Sequence, residues 1–144
     1  IVVGGGYTAM ECCRTSRRLG GVDVKVVVRS PFDDMKASAW EIEDAQHEVI
    51  PILNCHNPNS FVVENGVLKG MMFSKVQAVY DEKGKRSLVE VNEPEVFIEA
   101  DDVLMAIGQD NAFPWIPKAP LDRMHLIIVV IDIVTIGNRI RECK

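Results

Sequence analysis

Ile1-Val2-Val3 runs directly into Gly4-Gly5-Gly6-Tyr7-Thr8-Ala9, which fits the pattern GxGxxA. Each small residue of that pattern has its own physical task. Gly4 permits a tight turn from strand into helix, Gly6 lets the backbone approach a pyrophosphate, and Ala9 lets the helix pack closely on the strand. The amino end of the following helix then offers unpaired N–H groups and a positive dipole end to an anion. The chemistry these residues could do is the binding of a dinucleotide. A second informative position is the end of the next strand, Val28-Arg29-Ser30. An acid there would hold a ribose 2′-hydroxyl, whereas a cation would meet a 2′-phosphate. Arg29, with its charge, and Ser30, with its hydroxyl, lean toward NADPH over NADH, and Asp33-Asp34 close behind pull the other way.

The elements that must position these residues follow from the pattern on either side. A helix is predicted over 8–19, with Ala9, Met10, Cys12, Cys13 and Ser16 inward and Arg14, Arg17 and Arg18 toward water. Gly20-Gly21 ends it. Residues 23–28 read as a buried strand, so strand, glycine turn, helix and strand form a βαβ unit and demand a parallel sheet. An acidic helix is predicted over 37–48, with Trp40, Ile42 and Ala45 packing and Glu41, Glu43 and Asp44 facing water. A third strand is read at 50–54, and Asn57-Pro58-Asn59-Ser60 as a turn. From 61 to 100 the alternation becomes that of an antiparallel meander, with Asn65-Gly66 as a hairpin turn. A last parallel strand occupies 102–107 and ends at Gly108. The expected fold class is α/β: a Rossmann-like NAD(P)-binding domain with a parallel sheet of about four strands. Helices flank that sheet, and an antiparallel β-meander serves as its crossover.

Composition narrows the function classes. The chain has 144 residues, 47% hydrophobic, with a formal charge of −5, which fits one domain and argues against nucleic acid as a partner. Cys12, Cys13, Cys55 and Cys143 are too sparse for a disulfide scaffold and fit reduced thiols in the cytoplasm. The apolar run Leu126–Ile136 is too short to span a membrane and carries Asp132. His47, His56 and His125 form no ligand pair, so no metal site is expected. No nucleophile–base constellation is visible, and no catalytic residue is assigned. The chain opens at Ile1, inside a strand and without Met, and is read as a piece of a longer polypeptide.

Several segments in order carry a resemblance: Gly4-Gly5-Gly6-Tyr7-Thr8-Ala9-Met10-Glu11-Cys12, Arg14-Thr15, Arg18-Leu19-Gly20, Glu41-Ile42-Glu43-Asp44-Ala45, Asn57-Pro58 and Ala106-Ile107-Gly108-Gln109. Together they resemble the pyridine-nucleotide domain of the glutamate synthase small (beta) subunit and related FAD-dependent NAD(P)H oxidoreductases. The resemblance covers about residues 1–116. It implies that NAD(P)H gives hydride to FAD held by segments that precede and follow this domain, and that electrons pass on to an iron–sulfur or acceptor subunit. It implies that Gly4, Gly5, Gly6, Thr8 and Ala9 line the pyrophosphate and that Arg29 meets the 2′-phosphate. Tyr7 and Glu11 would lie toward the nicotinamide, and Ala106, Ile107, Gly108 and Gln109 would form the strand end beside the cofactor. Four positions depart from the family pattern: Ser30 replaces a second arginine, Lys36 a proline, Val49 a glycine and Asn111 a proline. On this reading residues 1–112 are the NAD(P)H domain, and 113–144 begin the return to a flavin domain in truncated or divergent form. The isolated piece would lack FAD and activity. Two other readings share the same fingerprint: a non-catalytic nucleotide-sensing or assembly module, and the nucleotide domain of a disulfide reductase.

Overall fold

The computed structural model describes residues 1–82, 84–108 and, as backbone alone, 134–137. In chain order the elements are β1 (Val2–Val3), α1 (Tyr7–Arg18), β2 (Val26–Val27), α2 (Ala39–His47), β3 (Ile52–Leu53) and β4 (His56–Glu64). They continue with β5 (Val67–Tyr80), β6 (Arg86–Glu90), β7 (Val96–Glu99), β8 (Asp102–Met105) and β9 (Val134–Gly137). A 3₁₀ turn covers Phe32–Asp34.

The first sheet has the order β3-β2-β1-β8-β9, with its first four strands parallel and β9 antiparallel to β8. The valines explain why these segments are strands. β-Branched side chains pack well on a pleated surface, and a strand covered on both faces needs apolar residues at every position. Val2, Val26 and Val28 point into a core shared with Ala9, Met10 and Cys13 of α1 and with Ile42 and Ala45 of α2. Val3, Val27 and Val103 point the other way, into a core with Leu68, Met71, Phe73 and Ile98. The layers are therefore helices, parallel sheet and antiparallel sheet. Both helices lie on one face, and the crossover covers the other.

That crossover contains β4 to β7. β4 and β5 form a hairpin whose turn, Asn65-Gly66, has φ of 52° and 78°, the left-handed pair that its residue types favour. β6 pairs with the far end of β5 (Val76–Tyr80), but β7 returns to pair with Gly70–Phe73 of β5 instead of following β6. The return puts Ile98 opposite Met71, within the core. The expected turn at Asn57–Ser60 is instead part of β4. Its turn residues are absorbed by a register shift between Pro58 and Ser60, which leaves Asn59 without a partner across the ladder. Proline has no N–H to give the ladder, so an irregular stretch is where it belongs.

Two side chains of α2 exchange their expected places. Trp40 is 60% exposed, whereas Glu41 is only 4% exposed. The cause is the helix start. Glu41 folds back over Ser38, and its Oε2 accepts the Ser38 N–H at 2.7 Å and the Ser38 hydroxyl at 2.6 Å. This capping interaction fixes the rotation of the first turn and aims Trp40 outward. The two helices are joined by ion pairs: Arg14 Nε to Glu48 Oε1 at 2.8 Å, Arg14 Nη1 to Asp44 at 3.0 Å and Arg18 Nη2 to Glu48 Oε1 at 2.5 Å. Arg18 and Arg14 hold the Glu48 carboxyl below the usual carboxylate range.

The end of α2 carries strain. Val49 has φ +59°, and the Val49 and Ile50 N–H groups close the helix on Gln46 and Ala45 carbonyls. That left-handed position ordinarily belongs to glycine, because a Cβ crowds the following carbonyl there. Val49 is 78% exposed, so its side chain gains little from burial. Val49→Gly is expected to stabilise the chain by about 1 kcal/mol. Thermal melting followed by circular dichroism should show a rise of roughly 2–5 °C; an unchanged or lower midpoint would contradict the strain argument.

Candidate nucleotide-binding site

The three glycines after β1 have three different surroundings. Gly4 donates its N–H to the Val27 carbonyl at 3.0 Å and adopts φ +144°. A Cβ there would overlap the carbonyl of Ala106, at the end of β8. The Gly5 carbonyl accepts the N–H groups of Lys36 and Ala37 at 2.9 and 3.1 Å, and a Cβ on Gly5 would sit 2.5 Å from Val28 Cγ1. Gly6 is the N-cap of α1, with no side-chain cap, and a Cβ there would have nothing within 4 Å. Thus Gly4 is pressed against β8 and Gly5 against β2 and its loop, while Gly6 faces open space at a helix amino end.

The N–H groups of Ala9 and Met10 bond the Gly6 carbonyl. Among the described residues no acceptor meets the N–H groups of Tyr7 and Thr8. These two donors and the positive end of α1 face the same opening. Ala9 is fully buried against the sheet, as close helix–strand packing requires. Thr8 is exposed. Tyr7 is 58% exposed, and its hydroxyl lies 3.4 Å from Glu11 Oε1, one turn along.

The other expected site residues divide by position. Ala106 is brought beside the turn, its N–H bonded to the Val3 carbonyl at 2.8 Å. Ile107 is 68% exposed and Gly108 adopts φ +97° as the chain leaves the sheet. Gln109, Asn111, His125, Cys143 and the return segment from 113 to 133 lie outside the described residues. Arg29 is exposed at the end of β2, whereas Ser30 is only 8% exposed. The Ser30 carbonyl accepts the Asn54 side-chain amide at 3.0 Å, which ties this loop to the end of β3.

The structure adds a group that sequence spacing did not show. Asp34 Oδ2 accepts the Tyr80 hydroxyl at 2.7 Å and lies 3.0 Å from Arg86 Nη1. The Tyr80 hydroxyl and the Arg86 guanidinium hold the Asp34 carboxyl below its usual range. Tyr80 and Arg86 are register partners on β5 and β6. No linear motif joins them to Asp34, so only the folded crossover reveals the contact.

Cys12 and Cys13 lie inside α1, 8% and 0% exposed, and are free. Burial pushes the Cys13 thiol up to about 11, and burial followed by the Glu11 charge raises Cys12. Thiolate is the reactive form, so neither should behave as a redox pair. Treatment with iodoacetamide at pH 8 should leave both unmodified in the native chain and label both after denaturation, as read by peptide mass spectrometry. Native labelling at rates near those of free cysteine would contradict this packing.

Among the described residues no group of three or more His, Cys, Asp or Glu side chains gathers as a metal site, and no helix is long and apolar enough to cross a membrane. A concavity of about 700 Å³ lies near Ile1, Val22, Asp23 and Asp101. It is at the amino ends of β1 and β8. Open α/β sheets bind ligands at the carboxyl ends of their strands, where the glycine turn is.

A family model described as pyridine nucleotide-disulphide oxidoreductase matches residues 1–123. The chain belongs to this family. As a pyridine nucleotide-disulphide oxidoreductase domain, it is 38% identical over 109 residues to the NADP(+)-dependent formate dehydrogenase subunit beta of Moorella thermoacetica. That alignment covers 75% of this chain and 15% of the relative. It is 32% identical over 121 residues to the glutamate synthase [NADPH] small chain of Escherichia coli, covering 82% of this chain and 26% of that one. Among solved structures, Mycobacterium tuberculosis FprA in complex with NADPH shares the fold, with a TM-score of 0.61 at 14% identity over 84% of this chain and 40% of that one. The domain thus spans a small part of its curated relatives. It is a domain of the pyridine nucleotide-disulphide oxidoreductases.

Proposed function

We propose that this domain binds NAD(P)H, with NADPH preferred, and positions the nicotinamide for hydride transfer to FAD held by other segments of the same polypeptide. The observation that carries the reading is the contrast among the three glycines. Gly4 and Gly5 are consumed by packing, and Gly6 alone is open, beside two unpaired N–H groups at the amino end of α1. That is the arrangement a pyrophosphate fits.

Gly6 and Thr8 would face the pyrophosphate, and Gly4, Gly5 and Ala9 would shape the turn that holds it through their packing. Arg29 would meet the adenosine 2′-phosphate. Tyr7 and Glu11 would lie toward the nicotinamide, with Ala106, Ile107 and Gly108 alongside. The preference for NADPH rests on exposed Arg29 and on Asp34, which is committed to Tyr80 and Arg86 and so is not offered to a ribose hydroxyl. The names of both curated relatives also carry NADP or NADPH. When bound, the nicotinamide supplies the hydride and flavin accepts it. The chain's own part is to bind, orient and exclude water.

Residues 1–112 would form this domain, with 113–144 leading back to the flavin half. An iron–sulfur or other acceptor subunit would take the electrons. The buried free thiols of Cys12 and Cys13 support a reducing, cytoplasmic location. Calorimetric titration of the chain with NADPH and NADH tests the proposal. Saturable binding of both, tighter for NADPH, is expected, without flavin colour. No saturable binding of either at millimolar concentration would overturn it.

A further inference from the structure

The crossover reaches over the parallel sheet and touches the loop that follows β2. Arg29 opens this loop and Asp34 closes its 3₁₀ turn. Tyr80 and Arg86 come from the opposite layer, paired across the end of the β5–β6 hairpin, and both engage the same oxygen of Asp34. The Asp34 and Arg86 side chains are 28% and 32% exposed. Their fields are therefore neither fully screened by water nor locked inside the core.

A bare carboxylate in such a loop has two effects on an adenosine ribose. It accepts a hydrogen bond from a 2′-hydroxyl, and it repels a 2′-phosphate. A guanidinium 3.0 Å from that carboxylate cancels most of its charge as felt several ångströms away, because the pair acts as a dipole instead of a monopole. Asp33, the neighbouring acid, and Lys36, the exposed cation farther along, are not part of the pair.

We infer that Arg86 is a specificity-determining residue: by pairing with Asp34 it masks a negative charge in the loop that meets the adenosine ribose, and so favours a 2′-phosphorylated cofactor. The inference rests on the NAD(P)H reading above. It would supply selectivity at a position where Ser30 stands in place of a second arginine.

A purely mechanical role, with the hairpin bracing the loop, makes a different forecast. Arg86→Gln and Asp34→Asn both cut the same contact. A brace predicts that both weaken NADPH binding. A mask predicts opposite signs: Arg86→Gln leaves Asp34 bare and weakens NADPH relative to NADH, whereas Asp34→Asn leaves Arg86 bare and strengthens it.

The test is calorimetric titration of the full chain and its variants with NADPH and NADH, at low salt and at high salt. The NADPH-to-NADH affinity ratio is expected to fall about three- to tenfold in Arg86→Gln, the range for unit charges several ångströms apart at a partly exposed site. It should rise in Asp34→Asn, return near the wild-type value in the double variant, and stay there in Arg86→Lys. These differences should shrink as salt is added. Circular dichroism checks that each variant is folded. If Arg86→Gln does not fold, Asp34→Asn decides alone: a raised ratio supports the mask and a lowered one overturns it. Shifts of the same sign in both single variants, or an unchanged ratio in folded Arg86→Gln, overturn the mask while leaving the nucleotide site standing. A wild-type chain that binds neither cofactor overturns both proposals.

Discussion

Replacing Gly6 with valine is expected to abolish measurable NAD(P)H binding, a loss of about a hundredfold or more, while the chain stays folded. A Cβ at Gly6 meets nothing within 4 Å, and the residue's φ of −106° suits any L-amino acid. The fold therefore has no objection to a side chain there. A valine is a poorer N-cap than glycine, which costs about 1 kcal/mol at most and a few degrees of melting temperature. The space it fills is the space a pyrophosphate would need, next to the N–H groups of Tyr7 and Thr8. Calorimetry and thermal melting on the same sample separate the two effects. Valine at this position with unimpaired binding would mean that the phosphates do not lie over Gly6.

Gly4→Ala should fail in the opposite way. At Gly4 the φ is +144°, outside what alanine adopts readily, and the added Cβ would strike the Ala106 carbonyl oxygen. That oxygen belongs to backbone at the end of β8, so it cannot swing aside as a flexible side chain could. Backbone strain and overpacking each cost about 1–3 kcal/mol, and together about 3 kcal/mol or more. For a domain of this size the melting temperature should drop by roughly 10 °C or more. Binding would be lost too, but as a consequence of lost structure. A Gly4→Ala chain that melts like the wild type would refute the contact between the first turn and β8.

The contrast between these glycines shows how far the sequence could be read. GxGxxA located the turn, because strand, glycine spacing and helix agree with one another over a few residues. The same locality made Asn65-Gly66 legible as a hairpin and the valine runs legible as buried strands. Only the folded chain shows which glycine is compressed and which is open, since Ala106 reaches Gly4 from a distant segment of the chain. Trp40 and Glu41 depart from the apolar periodicity for a local reason: the turn-back of Glu41 onto Ser38 rotates the first helical turn against it. Asn57–Ser60 has the composition of a turn but sits within β4, where pairing with β5 is strong enough to absorb an irregular residue as a bulge. The return of β7 to β5, and the meeting of Tyr80 and Arg86 with Asp34, depend on contacts between distant segments and leave no trace in residue spacing.

The position of β1 has a kinetic consequence. It lies at the middle of the parallel ladder, where Val2 pairs with Val26 on one side and with Leu104 on the other. The first partner follows β1 closely in the chain, with only α1 between them. The second emerges only after the whole antiparallel layer has been produced. Until then one edge of β1 is an unpaired row of backbone groups, and Val3 and Val27 lack the layer that covers them. Contacts of such long sequence separation slow folding, because the loop must close before any of them forms. A nascent chain would thus pass through a stage in which the nucleotide turn and its helix exist without the strand that presses on Gly4. In that interval the site's most compressed glycine is under no compression, and chaperone capture or misassembly through the open edge of β1 competes with completion of the sheet.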